Sequence, residues 1–430
     1  MLSNHKIKKI NGRMVFDSRG IPTIEAEVVL NNGITGRAIA PSGASKGKNE
    51  ALEKRDNGKN FLGLGVEKNI KIIKSEINSS LENMSVLDQS AIDNNISKLD
   101  GTVNKSNIGG NTSIAVSMAA LKAAAKFNNK ELWDHIRESK KKLYLPIPQV
   151  QIFGGGAHAA NKVSIQDFLI IPNGAKNFKV ALEWVFKIFR NTYEELKKKN
   201  LLSGFADEGG YWPCFKSNED ILIFLSNIIS KSGLKPLKQV SIALDVAANN
   251  FKVKKGYKVA KNKNFQAEEL LDLFIKWVKK YPIISIEDPF AEEDSDFFYK
   301  LKKKLPKYVQ LVGDDLVVTN KKLIKKAFKD KSINAVLLKP NQIGTITETY
   351  QAYKLTEELG IINIISARSG ETEDVTISDL SIGWQTNQIK VGSFSRSERL
   401  AKWNQCLRIG EKLNNSFLMN QNKKLKWTKL

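Results

Sequence analysis

Beyond Pro148, short runs of apolar, β-branched residues recur along the chain, and each ends on a charged or polar residue. QVSIALD closes on Asp245, YPIISIEDP carries Glu287, VQLVGDD carries Asp314, NAVLLKP reaches Lys339, INIISARS follows, and NQIKVG carries Lys390. Lysine-rich stretches with helical spacing fill most of the intervals. The period is regular: 27 residues from Glu287 to Asp314, 25 to Lys339, 28 to Ala367 and 23 to Lys390. Each interval accommodates a strand, a helix and two loops. Continuous apolar strands alternating with helices predict a parallel sheet covered on both faces. Six such repeats after irregular elements predict a closed (β/α)8 barrel, whose functional residues gather at the C-terminal ends of the strands. Three acids and two lysines would then converge on one mouth. A single acid after a strand reads as a helix cap; recurrence in register is what carries the argument.

One strand end stands out. INIISARSGETED, Ile362 to Asp374, turns at its midpoint from apolar and β-favouring to a loop of serine, arginine, glycine and acids. A buried strand runs out there into a segment suited to holding an anion. Upstream of the repeats, TIEAEVVLNNGITGRAIA alternates and turns at NNG, which predicts a hairpin. Asn111 to Lys126 predicts a helix with small residues along its packing face. Pro146 and Pro148, after the lysine-rich ESKKKLYLPIP, mark a boundary. The expected division is an N-terminal α+β domain over 1–138 and a barrel domain over 139–430.

Composition narrows this. A chain of 430 residues is too long for one small core, and 41% hydrophobic with 26% charged residues is the balance of a globular protein. Cys214 and Cys406 belong to no CxxC or Cys/His cluster, so both read as free thiols in a reducing compartment. The start, MLSNHKIKKINGR, is basic without an apolar stretch behind it, and no run nears the ~20 apolar residues of a membrane span. A cytoplasmic protein is expected. The net charge of +23 resides mainly in lysine runs interleaved with apolar residues, the pattern of solvated helix faces. With no Arg-rich arm or zinc-finger pattern beside them, nucleic acid is not expected as the main partner.

Asp245, Glu287 and Asp314 are hard oxygen donors suited to Mg²⁺, and the whole chain holds only three histidines. Two lysines facing such an ion are the parts needed to remove a proton next to a carboxylate. One lysine, its pKa lowered by the metal and its neighbours, takes the proton, and metal and cation stabilise the resulting enediolate.

Long strings in order make the chain resemble the enolase family over nearly its full length. They include FDSRGIPTIEAEV, APSGASKGKNEALEKRD, DGTVNKSNIGGN, GGGAHAANKVSIQDFLIIP, ADEGGYWP, SIEDPF, GDDLVVTN, LLKPNQIGT, SARSGETEDV and NQIKVGSFSRSERLAKWNQCLRI. The resemblance implies an α+β domain followed by a barrel that begins ββαα. A lysine base with one or two Mg²⁺ ions is the established pattern of enolase-superfamily sites. It further implies that Asp245, Glu287 and Asp314 hold the first Mg²⁺ and that Ser45, in a closing loop, ligates a second ion bound with substrate. Lys339 would abstract the α-proton of 2-phosphoglycerate, Glu208 would protonate the departing hydroxyl, and Lys390 would stabilise the charge on the carboxylate. Arg368 and Ser369, beside Ser366 and Ala367, would grip the phosphate, and His158 with Asp167 would complete the pocket. The implied partner is a small phosphorylated carboxylate, and a homodimer or higher homo-oligomer is expected.

The pattern breaks in five places. Ala367 stands where the family has histidine, Asp167 where it has glutamate, Lys46 where it has threonine, and ADEGG where it has GDEGG. QIFGGG, with Phe153 before the glycines, replaces INGG. The expectation is that these changes sit in or beside the pocket. Three outcomes follow: dehydration of 2-phosphoglycerate, a lyase re-cut for another phosphorylated or phosphono acid, or a catalytically weak paralogue with a binding role.

Overall fold

In the computed structural model, which describes residues 4–44, 47–138, 142–260, 263–414, 416–421 and 425–429, the expected hairpin is the second half of an antiparallel sheet. Its strands are β1 (Ile7–Phe16), β2 (Pro22–Leu30) and β3 (Thr35–Ile39). Helix α1 (Gln89–Asp100) begins at Asp88, whose side chain accepts the Ala91 N–H, and stops at Gly101 in a left-handed conformation. Helix α2 (Gly110–Phe127) matches the predicted one within a residue at each end. Its buried alanines let it lie against the sheet so closely that a Cβ at Gly36 would stand 2.1 Å from the Ala119 carbonyl.

The second domain is a closed eight-stranded barrel. Strand β4 (Ile147–Gly154) pairs antiparallel with β5 (Asp167–Ile171), and helices α3 (Phe178–Lys198) and α4 (Asn218–Lys231) follow. Strand β6 (Ser241–Asp245) pairs antiparallel with β5, so the barrel opens ββαα as the resemblance implied. Then come α5 (Ala267–Lys280), β7 (Ile283–Glu287), α6 (Ser295–Lys304), β8 (Gln310–Gly313), α7 (Lys321–Lys329) and β9 (Ala335–Leu338). Helix α8 (Ile346–Glu358), β10 (Ile362–Ser366), α9 (Thr376–Gly383), β11 (Gln388–Ser393) and α10 (Ser397–Lys412) complete the wall, with β11 closing parallel onto β4.

The barrel interior is more polar than the strand pattern suggested. Gln149 donates to Gln388 at 2.6 Å, Gln388 to Gln310 at 2.9 Å, and Gln310 to the Ser285 hydroxyl at 2.8 Å. These side chains satisfy one another, between neighbouring strands and, from Gln388 to Gln310, across the barrel, which makes their burial tolerable. The apolar majority faces the helices, where α7, for example, buries Ile324 and Ala327 and leaves Lys321, Lys322, Lys325 and Lys326 exposed. Much of the positive charge is thus spread over outer helix faces. No described helix is long and apolar enough to cross a membrane.

Candidate active site

The barrel's strand ends deliver the expected side chains to one place. Asp245 and Glu287 are the last residues of β6 and β7; Asp314, Lys339 and Ala367 directly follow β8, β9 and β10; Lys390 is the third residue of β11. His158 comes from the short turn Gly156–Ala159 after β4, Asp167 opens β5, and Glu208 lies between α3 and α4. All are buried. His158, Asp167, Glu208, Asp245, Lys339 and Lys390 line a single cavity of ≈ 20 Å³ together with Ser366, Ala367, Arg368 and Ser369. Glu287 and Asp314 sit against the two lysines.

Lys390 Nζ lies 2.8 Å from Asp245 Oδ2 and 2.8 Å from each oxygen of Glu287. Burial opposes its charge, yet these carboxylates raise the ammonium well above its usual range. Glu287 is also pushed well up, by burial first and by Asp245 next. Oxygen donors of this kind suit a hard divalent cation, and among the described residues the side chains that lie within one ion's reach are Asp288, Asp314 and Asp315, and His158, Asp167 and Glu208. Ser45 and Lys46 lie outside the described residues.

Lys339 is the second lysine of the set. Its ammonium pairs with Asp314 Oδ2. Burial is the largest single influence and pulls its pKa down, but Asp314 and Glu287 together carry the net shift upward in the absence of a metal ion. Across the cavity, His158 Nδ1 is 2.9 Å from Asp167 Oδ1, and Nε2 is 3.9 Å from Glu208 Oε1. Burial disfavours the imidazolium, but Asp167 and then Glu208 raise it to about 9. Glu208 moves the opposite way: burial would raise it, while His158 and Arg399 draw it below the usual range. The second oxygen of Asp167 is buried without a hydrogen-bond partner, an unsatisfied carboxylate edge beside a shortened side chain.

The N-terminal domain covers this mouth. Ser42 and Gly370 exchange backbone hydrogen bonds at 2.8 Å, and the Ala44 N–H donates to Ser369 Oγ at 2.6 Å. A Cβ at Gly43 would stand 1.8 Å from Arg368 Nη2, so only glycine lets the backbone pass the guanidinium. Arg368 pairs with Glu50 Oε2 at 3.1 Å through both terminal nitrogens and donates to Asn341 Oδ1 at 3.1 Å.

The Phe153 departure lies off the cavity lining, which corrects the expectation for that position. Phe153 packs in an aromatic cluster, its ring 5.5 Å from Phe215 and 5.7 Å from Phe224. A Cβ at Gly154 would meet the Ala206 methyl at 2.5 Å. The first glycine of QIFGGG, Gly154, and the alanine of ADEGG, Ala206, are therefore matched: one supplies the space the other fills. Ala367 and Asp167 do line the cavity.

Several site residues escaped the sequence reading. Gln166 donates to Asp245 Oδ2 at 3.2 Å, and the side chain of Gln342 donates to Asp314 Oδ1 at 2.9 Å. Asp288, in a left-handed conformation at φ 39°, accepts the Asp314 and Asp315 N–H groups at 3.0 and 2.6 Å. The doubled acids in SIEDPF and GDDLVVTN were the available signal, but nothing in the strings separates ligand from support.

Comparisons with known proteins agree with this geometry. Residues 7–136 match the family model described as the enolase N-terminal domain, and residues 142–427 the one described as the enolase C-terminal TIM barrel domain. The chain is similar to the enolase of Ehrlichia canis (strain Jake), 46% identical over 413 residues covering 96% of this chain and 98% of that protein. It is also similar to the enolase of Ehrlichia chaffeensis (strain ATCC CRL-10679 / Arkansas), 45% identical over 411 residues covering 95% and 97%.

Proposed function

The chain belongs to the enolase family of carbon–oxygen hydro-lyases, and from that premise we propose that it dehydrates 2-phosphoglycerate to phosphoenolpyruvate, the glycolytic step, with Lys339 as base. The observation that carries this reading is the placing of Lys339 and Glu208 on the lining of one cavity that Arg368 also borders. Asp245, Glu287 and Asp314 would hold one Mg²⁺ and Ser45, with substrate, a second; when bound, these ions supply positive charge to the substrate carboxylate. Lys339, as the free amine, takes the proton from C2. The electron pair left behind forms the C2–C3 double bond as the C3–O bond breaks, and Glu208 donates the proton that lets the hydroxyl leave as water. Lys390 would stabilise the charge of the enediolate, and Arg368 with Ser369 would bind the phosphate. His158 and Asp167 fix the position of Glu208.

A second reading is favoured by one observation: Ala367 presents a methyl to the cavity where the family has an imidazole. Under it the same proton abstraction acts on another phosphorylated or phosphono carboxylate. Steady-state formation of the enol phosphate from 2-phosphoglycerate with Mg²⁺, followed by absorbance, separates the two. Saturable turnover supports the first; background rates favour the second.

The same proposal includes a domain division at 1–138 and 139–430, a cytoplasmic location, and assembly as a homodimer or higher homo-oligomer. Exposed Phe16, Phe61 and Leu62, with the two rings 6.2 Å apart, are an apolar patch that would suit contact between copies.

A further inference from the structure

Gln342 lies three residues past Lys339 and is fully buried. Its amide touches three separate parts of the site. Nε2 donates to Asp314 Oδ1 at 2.9 Å and to Glu50 Oε1 at 3.3 Å. Oε1 accepts from the Thr319 hydroxyl at 2.8 Å, and Thr319 Oγ1 in turn accepts the Lys339 backbone N–H at 2.8 Å. The orientation of the amide is forced, because only the NH₂ end can face two carboxylates. Both of its protons are used.

Each of those contacts leads to a different function. Asp314 belongs to the carboxylate set assigned to the metal and pairs with Lys339. Glu50 carries the fork that orients Arg368, and its Oε1 also accepts the Gly47 N–H at 3.1 Å, where the covering loop rejoins the described chain. Thr319, itself in a left-handed conformation at φ 57° and fully buried, fixes the backbone from which Lys339 extends. The backbone of Gln342 closes the arrangement, its carbonyl accepting the Ala51 N–H at 2.7 Å. A single neutral side chain therefore bridges the anion-binding arginine and the acidic, metal-side group. Buried networks of this kind move as a unit, because breaking one bond strands the partner of the next.

We propose that Gln342 is a positioning residue that couples the Arg368 side of the site to the Asp314 side, so that an anion held by Arg368 tightens the binding of a divalent cation at the carboxylates. This rests on the metal and phosphate assignments of the preceding section. When an anion draws the Arg368 guanidinium, Glu50 shifts its load onto Gln342, and Gln342 holds Asp314 in place. A neutral amide suits this link, since a third carboxylate at 342 would face Asp314 and Glu50 with like charge.

The test is calorimetric titration of Mg²⁺ into the full chain, without and with saturating inorganic phosphate as the probe anion. In the native protein phosphate should tighten Mg²⁺ binding by ~10-fold, within the usual range of coupling between sites. In Gln342→Met, which keeps the volume and removes the amide, the ratio should fall below about 3. Glu50→Gln breaks the same chain at its next link and should lower the ratio too, which keeps the test open if the first variant fails to fold. A purely structural role would weaken both ligands and lower Tm while leaving the ratio intact; that result, or a native ratio near one, overturns the proposal. Absence of any Mg²⁺ binding by the native protein would instead defeat the metal assignment on which it rests.

Discussion

Lys390 Nζ donates to both carboxylate oxygens of Glu287, each at 2.8 Å. The pair lies at the centre of the buried charges. Because Glu287 is surrounded by other acids, its charge is tolerable only with cations beside it. Activity should therefore require Mg²⁺ and disappear with chelator, and return on adding the ion back. Glu287→Gln removes a ligand charge and should behave like the chelated protein, with kcat reduced by ~10³-fold or more. Undiminished turnover after metal removal, measured in the same assay, would sink the mechanism.

Lys339 and Glu208 act at different steps, and isotope exchange distinguishes them. Lys339→Ala should lose ~10²–10⁴-fold in kcat and also lose exchange of the C2 hydrogen with solvent deuterium. Glu208→Gln should lose comparable turnover but retain that exchange, since proton removal precedes departure of water. Retained exchange in the lysine variant, read by NMR, would assign the base elsewhere.

Ala367 and Asp167 decide between the two functional readings. If the protein is an impaired dehydratase of 2-phosphoglycerate, Ala367→His should raise its turnover, because one pre-organised donor is worth ~10²–10³ in rate. Asp167→Glu should add to it when combined, although contacting sites need not be additive. A double variant no better than the parent on 2-phosphoglycerate would mark a changed substrate.

Gly154 and Ala206 should be exchangeable only as a pair. Gly154→Ala alone drives two methyls together and should cost ~1–3 kcal/mol. In an Ala206→Gly background the same change should cost little. Urea denaturation of the four proteins in this cycle gives the interaction energy, and a value near zero would show that the two positions are independent.

Asp379, in α9, gives a pH signature away from the site. Burial pushes its carboxyl up to about 7, despite the Gln405 side chain donating at 3.2 Å and Lys122 nearby, with Asp374 and Glu131 adding to the rise. Between about 4 and 7 the folded protein holds a proton that the unfolded chain has lost. That contribution is complete below the unfolded value and is lost as pH rises through 7. Asp379→Asn fixes the neutral form, so it should flatten the pH dependence of Tm over this range and be more stable than the parent at pH 8, by roughly a few kcal/mol. Equal slopes in the two proteins would show that Asp379 is ionised when folded.

The sequence by itself determined the architecture and the cast of the site. Strand ends recurring every 23–28 residues place Asp245, Glu287, Asp314, Lys339 and Lys390 on one rim, because parallel βα repeats leave no other way to order their C-terminal ends. Only the tertiary structure decided how those side chains are partnered. Glu50 reaches Arg368 across 318 positions of sequence, and Ser42 meets Gly370 across a domain boundary. Such pairings depend on how the N-terminal domain lies over the barrel, which no local pattern encodes. The same holds for charge: burial lowers the Lys339 ammonium while Asp314 and Glu287 raise it, and the sequence shows neither the burial nor the distances. The match of Gly154 to Ala206 was invisible for a similar reason, since the space left by a missing side chain has no sequence signature until its neighbour across the fold is known.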